Sequence, residues 1–206
     1  MLKLYSAPRT RSIRVAWLLE ELDQDYELIQ SVFVPTATKF FIQNTPTGKF
    51  PTIDDDGLIL FESGAILEYL LEKHPNPELM PLPGTPEKGQ VLQWMHFADA
   101  TAFSPLGIVI WLSIYRDDSR DHPELIEDSR QRAKTGLSLL DQHMAERTWL
   151  VAERFTAADI MMGFTLIAAN MLGLIDPDSR LIPYLERLQE RRAFKIAFEK
   201  TGGFGT

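Results

Sequence analysis

The sequence predicts an α/β unit followed by an all-α one, within 206 residues. Three observations point there. The first part alternates short β-type runs with helices of 3.6-residue apolar period. Residues 75 to 86 then carry five of the 13 prolines, Pro75, Pro77, Pro81, Pro83 and Pro86, which marks a connector. Beyond them the apolar spacing is helical throughout. The expected boundaries are residues 1–75 for the α/β unit, 76–87 for the linker and 88–206 for the helical unit.

Leu2 to Tyr5 reads as the first strand. A helix follows with Val15, Leu18, Leu19 and Leu22 on one face and Ser12 as its expected N-cap. Tyr26 to Ile29 reads as the second strand, and a short helical stretch is expected near Lys39 to Ile42. Thr52–Ile53 and Leu58–Phe61 form a hairpin turning at Asp56-Gly57. A helix from Ser63 to Lys73, stopped by His74-Pro75, closes the unit. This βαβ-α-ββα order is that of a thioredoxin-like domain. In the second half, one helix is expected from about Pro86 to Ala102. Another carries Ile126, Arg130, Ala133, Leu137, Leu140 and Met144. Thr156 and Asp159 make a capping box with Asp in place of Glu, opening a helix with Ile160, Phe164, Ile167 and Met171 on one face and Gly173 at its end.

Composition narrows the classes. A formal net charge of −8 argues against nucleic acid and anionic membranes. No apolar run is read as long enough to span a bilayer; the best, Gly107 to Tyr115, is short and contains Ser113. The N-terminus enters a strand without a basic-apolar leader, so a cytoplasmic protein is expected. With no cysteine, there is no disulfide, thiolate nucleophile or Cys-ligated metal. His74, His96, His122 and His143 lack metal-ligand spacing, so no metal is expected.

The most informative stretch is Asn44 to Tyr69, NTPTGKFPTIDDDGLILFESGAILEY. Its parts suit a small zwitterionic peptide. Pro51 can present the backbone of Phe50 as an open edge, especially across a cis bond. Ser63 stands at a helix start, where hydroxyl and N–H groups hold a carboxylate. Glu62 can hold an ammonium, and Lys49 a second carboxylate. The run resembles the glutathione-binding half of the glutathione S-transferase family: Asn-Pro-x-Gly-Lys-Val-Pro, then Asp-Gly, then Glu-Ser-x-Ala-Ile. It departs at Thr45, an added spacer, and at Phe50 for Val; neither change removes a polar ligand. Leu150 to Ile160 resembles that family's Phe-Ser/Thr-x-Ala-Asp-Ile folding element, so the resemblance covers nearly the whole chain.

The resemblance implies that glutathione, as co-substrate, is activated by a hydroxyl donated to its thiolate. The loop Tyr5-Ser-Ala-Pro-Arg-Thr-Arg-Ser12 offers four. Tyr5 matches the tyrosine-type position. The serine-type position falls on Arg9, beside Thr10. The cysteine-type position falls on Ser6 or Thr10. Thr10 is preferred because it lies just before a helix N-terminus, which favours an anion; Ser12, Tyr5 and Ser6 stay open. Arg9 and Arg11 can add positive potential. Phe97, Thr101, Phe103 and Tyr115 are candidates for the wall of a pocket for a hydrophobic electrophile. The resemblance also implies a homodimer, with Asp99 weakly matching an acidic residue that reaches the partner's glutathione. The expected activity is conjugation of glutathione to an electrophilic carbon, or peroxidase-like attack on a hydroperoxide. Dehalogenase, isomerase or two-glutathione reductase chemistry, and a non-catalytic binding or scaffold protein, are the alternatives.

Overall fold

A computed structural model describes residues 1–31, 45–116 and 118–203. The helical stretch expected near Lys39 to Ile42, and Asn44, lie outside the described residues. The chain forms two compact units, Met1–Pro77 with Gln189–Thr206, and Glu78–Leu188.

In the first unit, strands β1 (Lys3–Ser6), β2 (Glu27–Gln30), β3 (Thr52–Asp55) and β4 (Leu58–Phe61) form one sheet in the order β2-β1-β3-β4. β1 and β2 are parallel, joined through helix α1 (Ser12–Glu21); β3 runs antiparallel to both β1 and β4. The β3–β4 hairpin turns at Asp56 and Gly57, both at positive φ (51° and 97°), as a two-residue primed turn requires. Helix α2 (Ser63–Lys73) follows. Leu4 and Ile53, paired across β1 and β3, lie fully buried, as do Val15, Leu18 and Leu19 of α1 and Ile66, Leu67 and Leu70 of α2. This is a small thioredoxin-like domain.

Ser12 is the first residue of α1 rather than its cap. Arg11 occupies the cap position without a side-chain bond, and the Ser12 N–H instead points to Thr10 Oγ1 at 3.4 Å. The helix therefore starts one residue earlier than an Ser12 cap would allow.

The same unit is completed from the far end of the chain. Helix α8 (Arg192–Lys200) packs on α1, with the Phe194 ring edge-on to Trp17 at 5.0 Å. Glu21 takes Arg191 Nε and Nη2 at 2.6 and 2.8 Å, and Trp17 Nε1 at 2.9 Å. Glu20 accepts from Lys200 Nζ at 2.7 Å and the Tyr26 hydroxyl at 2.8 Å. Burial and the neighbouring Glu20 carboxylate push the Tyr26 phenol well up.

The second unit is helical. α3 (Pro86–His96) is capped by Thr85, whose hydroxyl accepts from Lys88 N. It continues through a π-helical turn at Phe97–Ala102, α4 (Phe103–Ile110) and a second π-helical turn at Trp111–Tyr115. The helix expected to stop near Ala102 is thus part of a 30-residue run, long and apolar enough by length and composition to cross a membrane. That corrects the reading of Gly107 to Tyr115 as an isolated short segment. Val91, Met95, Ala98, Leu106 and Val109 along the run are buried within the unit. Helix α5 (Pro123–His143) packs on α4. Helix α6 (Ala157–Met171) is buried from Ala157 to Ala169 and ends before Gly173, at φ 65°. α7 (Leu181–Glu190) follows. Within the proline-rich stretch, Leu79 and Met80 are buried, and Leu79 O accepts the Ala157 N–H at 2.9 Å. The middle of the expected linker is therefore packed against the start of α6.

Candidate glutathione site

Within the Asn44–Tyr69 stretch, Phe50-Pro51 leads into β3 and Glu62-Ser63 leads into α2. Phe50 and Pro51 precede β3, are buried, and are joined by a cis peptide bond. Phe50 shares a small apolar cluster with Tyr5 and Ala7, with Ile29 packed against it. Thus the first loop and the Phe50-Pro51 segment are one packed piece. Lys49 is exposed, and its backbone N–H is turned toward Thr47 Oγ1 at 3.3 Å.

Glu62 and Ser63 form the entry to α2. Glu62 is exposed with φ 70° and ψ 110°, a left-handed conformation that costs a non-glycine residue about 1 kcal/mol or more. This bend carries the chain from β4 into the helix. Backbone bonding in α2 starts with Ile66 N to Glu62 O at 3.0 Å, so the amides of Gly64 and Ala65 precede the ladder at the anion-favouring end. Ser63 is 2% exposed, and its Oγ accepts Arg14 Nη1 of α1 at 3.0 Å. Arg14 is itself fully buried. Sequence reasoning missed it: a lone arginine on a helix ordinarily reads as a solvated charge.

The four candidate hydroxyls of the first loop occupy different environments. Thr10 is half-buried; its Oγ1 donates to Ala7 O at 2.6 Å and lies 2.8 Å from Ser12 Oγ. A hydroxyl has one hydrogen, so with Thr10 donating to Ala7, the bond between the two hydroxyls runs from Ser12 to Thr10. Ser12 is fully buried. Ser6 is also fully buried, and its Oγ has no hydrogen-bond partner. Tyr5 is 8% exposed within the Phe50 cluster. Arg9, at φ 63°, is exposed, and Arg11 is half-buried.

In the helical unit the four expected pocket-wall residues fall on one helical run but not on one face. Phe97, half-buried, lies edge-on to Trp94 at 5.1 Å and beside Gly136 of α5. Phe103 is buried against Phe164 of α6 at 5.5 Å. Thr101 is exposed, and Tyr115 is half-buried 5.9 Å from Trp111. Asp99 is half-buried. Among the described residues no group of three or more His, Asp or Glu side chains is placed to hold a metal.

The comparisons with known proteins agree on a family. The model of the glutathione S-transferase N-terminal domain matches residues 1–72, and that of the C-terminal domain residues 123–188. Glutathione S-transferase 3 of Schizosaccharomyces pombe is 32% identical over 217 residues, covering 97% of this chain and 88% of that one. A glutathione transferase from Pseudomonas putida, solved with one glutathione disulfide bound per subunit, has a TM-score of 0.83 at 27% identity, covering 96% of this chain and 90% of that one. Elongation factor 1-gamma of Rattus norvegicus is 37% identical over 132 residues, which is 63% of this chain and 28% of that protein. The chain belongs to the glutathione S-transferase family.

Proposed function

We propose that the protein is a glutathione transferase that makes the thiolate of bound glutathione and delivers it to a small hydrophobic electrophile. The observation that carries this is the Glu62–Ser63 entry to α2, with an exposed carboxylate at φ 70° next to a hydroxyl and two leading amides. A carboxylate and an ammonium held side by side are the amino-acid end of glutathione's γ-glutamyl group. Ser63 takes the carboxylate and Glu62 the ammonium. Phe50 and Pro51 hold the peptide backbone, and Lys49 takes the glycyl carboxylate. The bound disulfide in the Pseudomonas putida relative supports the same ligand here.

Thr10 is the proposed activating residue. It is the one of the four hydroxyls that is not buried, and rotating it from Ala7 O to a sulfur anion exchanges a neutral acceptor for a charged one. A hydrogen bond to a charged group is worth about 1.5–3 kcal/mol, which corresponds to roughly one to two pKa units of thiol acidification. The thiol proton leaves to solvent, the thiolate forms the carbon–sulfur bond, and the electrophile's leaving group departs with its electron pair. Phe97, Thr101, Phe103 and Tyr115 are all candidates for contact with the electrophile. A cytoplasmic homodimer is part of this reading; β4, one of the two edge strands among the described residues, leaves Leu58, Ile59 and Phe61 about two-fifths exposed for a second copy to cover.

A second reading, a glutathione-binding protein without transferase chemistry, is favoured by one observation: the Thr10 hydrogen is engaged by Ala7 O. The elongation factor 1-gamma similarity adds weight to it. The ultraviolet absorbance of bound glutathione thiolate against pH, for wild type and Thr10→Ala, separates the two. A depressed thiol pKa that recovers in the variant establishes the transferase site and its hydroxyl. Depression unchanged by the variant moves the role to Ser12, Tyr5 or Ser6. Binding without depression supports the second reading, and no binding sinks both.

A further inference from the structure

We infer that Ser12 is a positioning residue that holds Thr10 as a hydrogen donor with no lone pair left to accept, so that the first loop receives glutathione's sulfur as an anion rather than as a thiol; this rests on the glutathione reading above and deepens it. Three bonds converge on Thr10 Oγ1. It donates its one hydrogen to Ala7 O at 2.6 Å. A carbonyl cannot donate, so the hydrogen in the 2.8 Å contact between Thr10 Oγ1 and Ser12 Oγ belongs to Ser12. The Ser12 N–H approaches the same oxygen at 3.4 Å. A hydroxyl oxygen has two lone pairs, and one residue is aimed at both. Ser12 is fully buried and Thr10 half-buried, so of this pair only Thr10 is open to a ligand.

The direction of these bonds fixes what Thr10 can bind. With both lone pairs engaged, the bond it can exchange is the one it donates, from Ala7 O to another acceptor. A thiol offering its S–H meets no lone pair there. A thiolate, its proton lost to solvent, is an acceptor and a charged one. Ser12 still donates to Thr10 after the exchange, and a hydroxyl that accepts a bond donates more strongly, by about 10–30% per linked bond. Both effects favour ionised sulfur. Removing the Ser12 hydroxyl weakens the donation and opens one lone pair of Thr10 to the neutral thiol. Ser12 acts only through Thr10, so its effect disappears when the Thr10 hydroxyl is gone.

That dependence supplies the test. The thiol pKa of bound glutathione is read from thiolate absorbance in wild type, Ser12→Ala, Thr10→Ala and the Thr10→Ala/Ser12→Ala double variant. Titration calorimetry with S-methylglutathione, which has no thiol to ionise, is run on wild type and Ser12→Ala. Ser12→Ala removes one oxygen and substitutes the best helix former, so α1 is retained. The expected result is a thiol pKa raised by about one to two units in Thr10→Ala and by roughly half a unit in Ser12→Ala. The double variant matches Thr10→Ala, and S-methylglutathione binds Ser12→Ala as it binds wild type. A wild-type thiol pKa no lower than that of free glutathione removes the reading on which the inference rests, and the inference with it. With the wild-type pKa depressed, that reading stands, and the inference alone is overturned by any of four results: no change in Ser12→Ala, no change in Thr10→Ala, additive shifts in the double variant, or weaker S-methylglutathione binding by Ser12→Ala.

Discussion

The Tyr184 hydroxyl donates to Asp159 Oδ1 at 2.7 Å, at the buried start of α6. Asp159 also accepts Leu150 N on Oδ1, and Thr156 N and Oγ1 on Oδ2. One carboxylate thus ties the helix cap, the preceding loop and α7 together. Burial pushes this carboxyl up, while the bond from Tyr184 leads the donors that oppose it. Tyr184→Phe removes one donor to a charged acceptor and is expected to cost about 1.5–3 kcal/mol. Asp159→Ala leaves the Leu150 and Thr156 amides buried without their acceptor and is expected to cost more. Urea denaturation of both variants checks the order; equal losses would mean that Tyr184 carries the site alone.

Asp55, at the end of β3, gives a pH-dependent prediction. Lys73 Nζ and the Tyr69 hydroxyl bond to its Oδ2 and hold the carboxyl below its ordinary 3.8, with burial opposing them. A carboxyl lowered in the folded state stabilises that state fully above the unfolded value, and loses this contribution as pH falls through the folded value. The stability gap between wild type and Asp55→Asn is therefore expected to be constant from about pH 5 to 8 and to shrink as pH falls below about 3.8. Denaturation midpoints measured across that range decide it; a gap that grows on acidification contradicts the assignment.

Gly202 braces the first loop. It sits at φ 83°, and a Cβ placed there would lie 2.9 Å from Gln30 Nε2 and 3.1 Å from Pro8 Cγ. Pro8 is two residues before Thr10. Gly202→Ala is expected to cost about 1 kcal/mol through its backbone conformation alone, and also to shift the loop. Gly203→Ala is the control, because a Cβ there meets the Phe198 ring first. The expected outcome is similar destabilisation in both, with the thiol pKa of bound glutathione changed only by Gly202→Ala. The same pKa change in both variants would remove Gly202 from any role in the loop.

Local chemistry was readable in the sequence wherever a feature spans few residues. The Asp56-Gly57 hairpin, the Thr156–Asp159 capping box and the Glu62-Ser63 helix start all have their determinants within a handful of positions. What the sequence hid depends on distant neighbours. Arg14 looks like any helix-surface charge until Ser63 is placed against it. Phe97 and Phe103 share one helical run, yet one turns toward α5 and the other toward α6, a choice no periodicity encodes. The helix expected to end near Ala102 instead runs through a π-helical turn at Phe97–Ala102 into α4, a continuation that apolar spacing does not mark. Among the first-loop hydroxyls the sequence preferred Thr10 for its place before a helix start, but it did not show that the Thr10 hydrogen is engaged by Ala7 O.

The pairing of Glu21 with Arg191, and of Trp17 with Phe194, bears on how the chain is made. A ribosome releases α1 some 170 residues before the partners that cover it. Throughout that interval the indole face awaiting Phe194 is open to water or to a chaperone. The unit whose strands are made before the helical unit is thus the later to close, because in sequence the helical unit's residues fall between its two parts. A nonsense codon anywhere ahead of residue 191 would leave the N-terminal unit unfinished, even though every strand of its sheet had been synthesised.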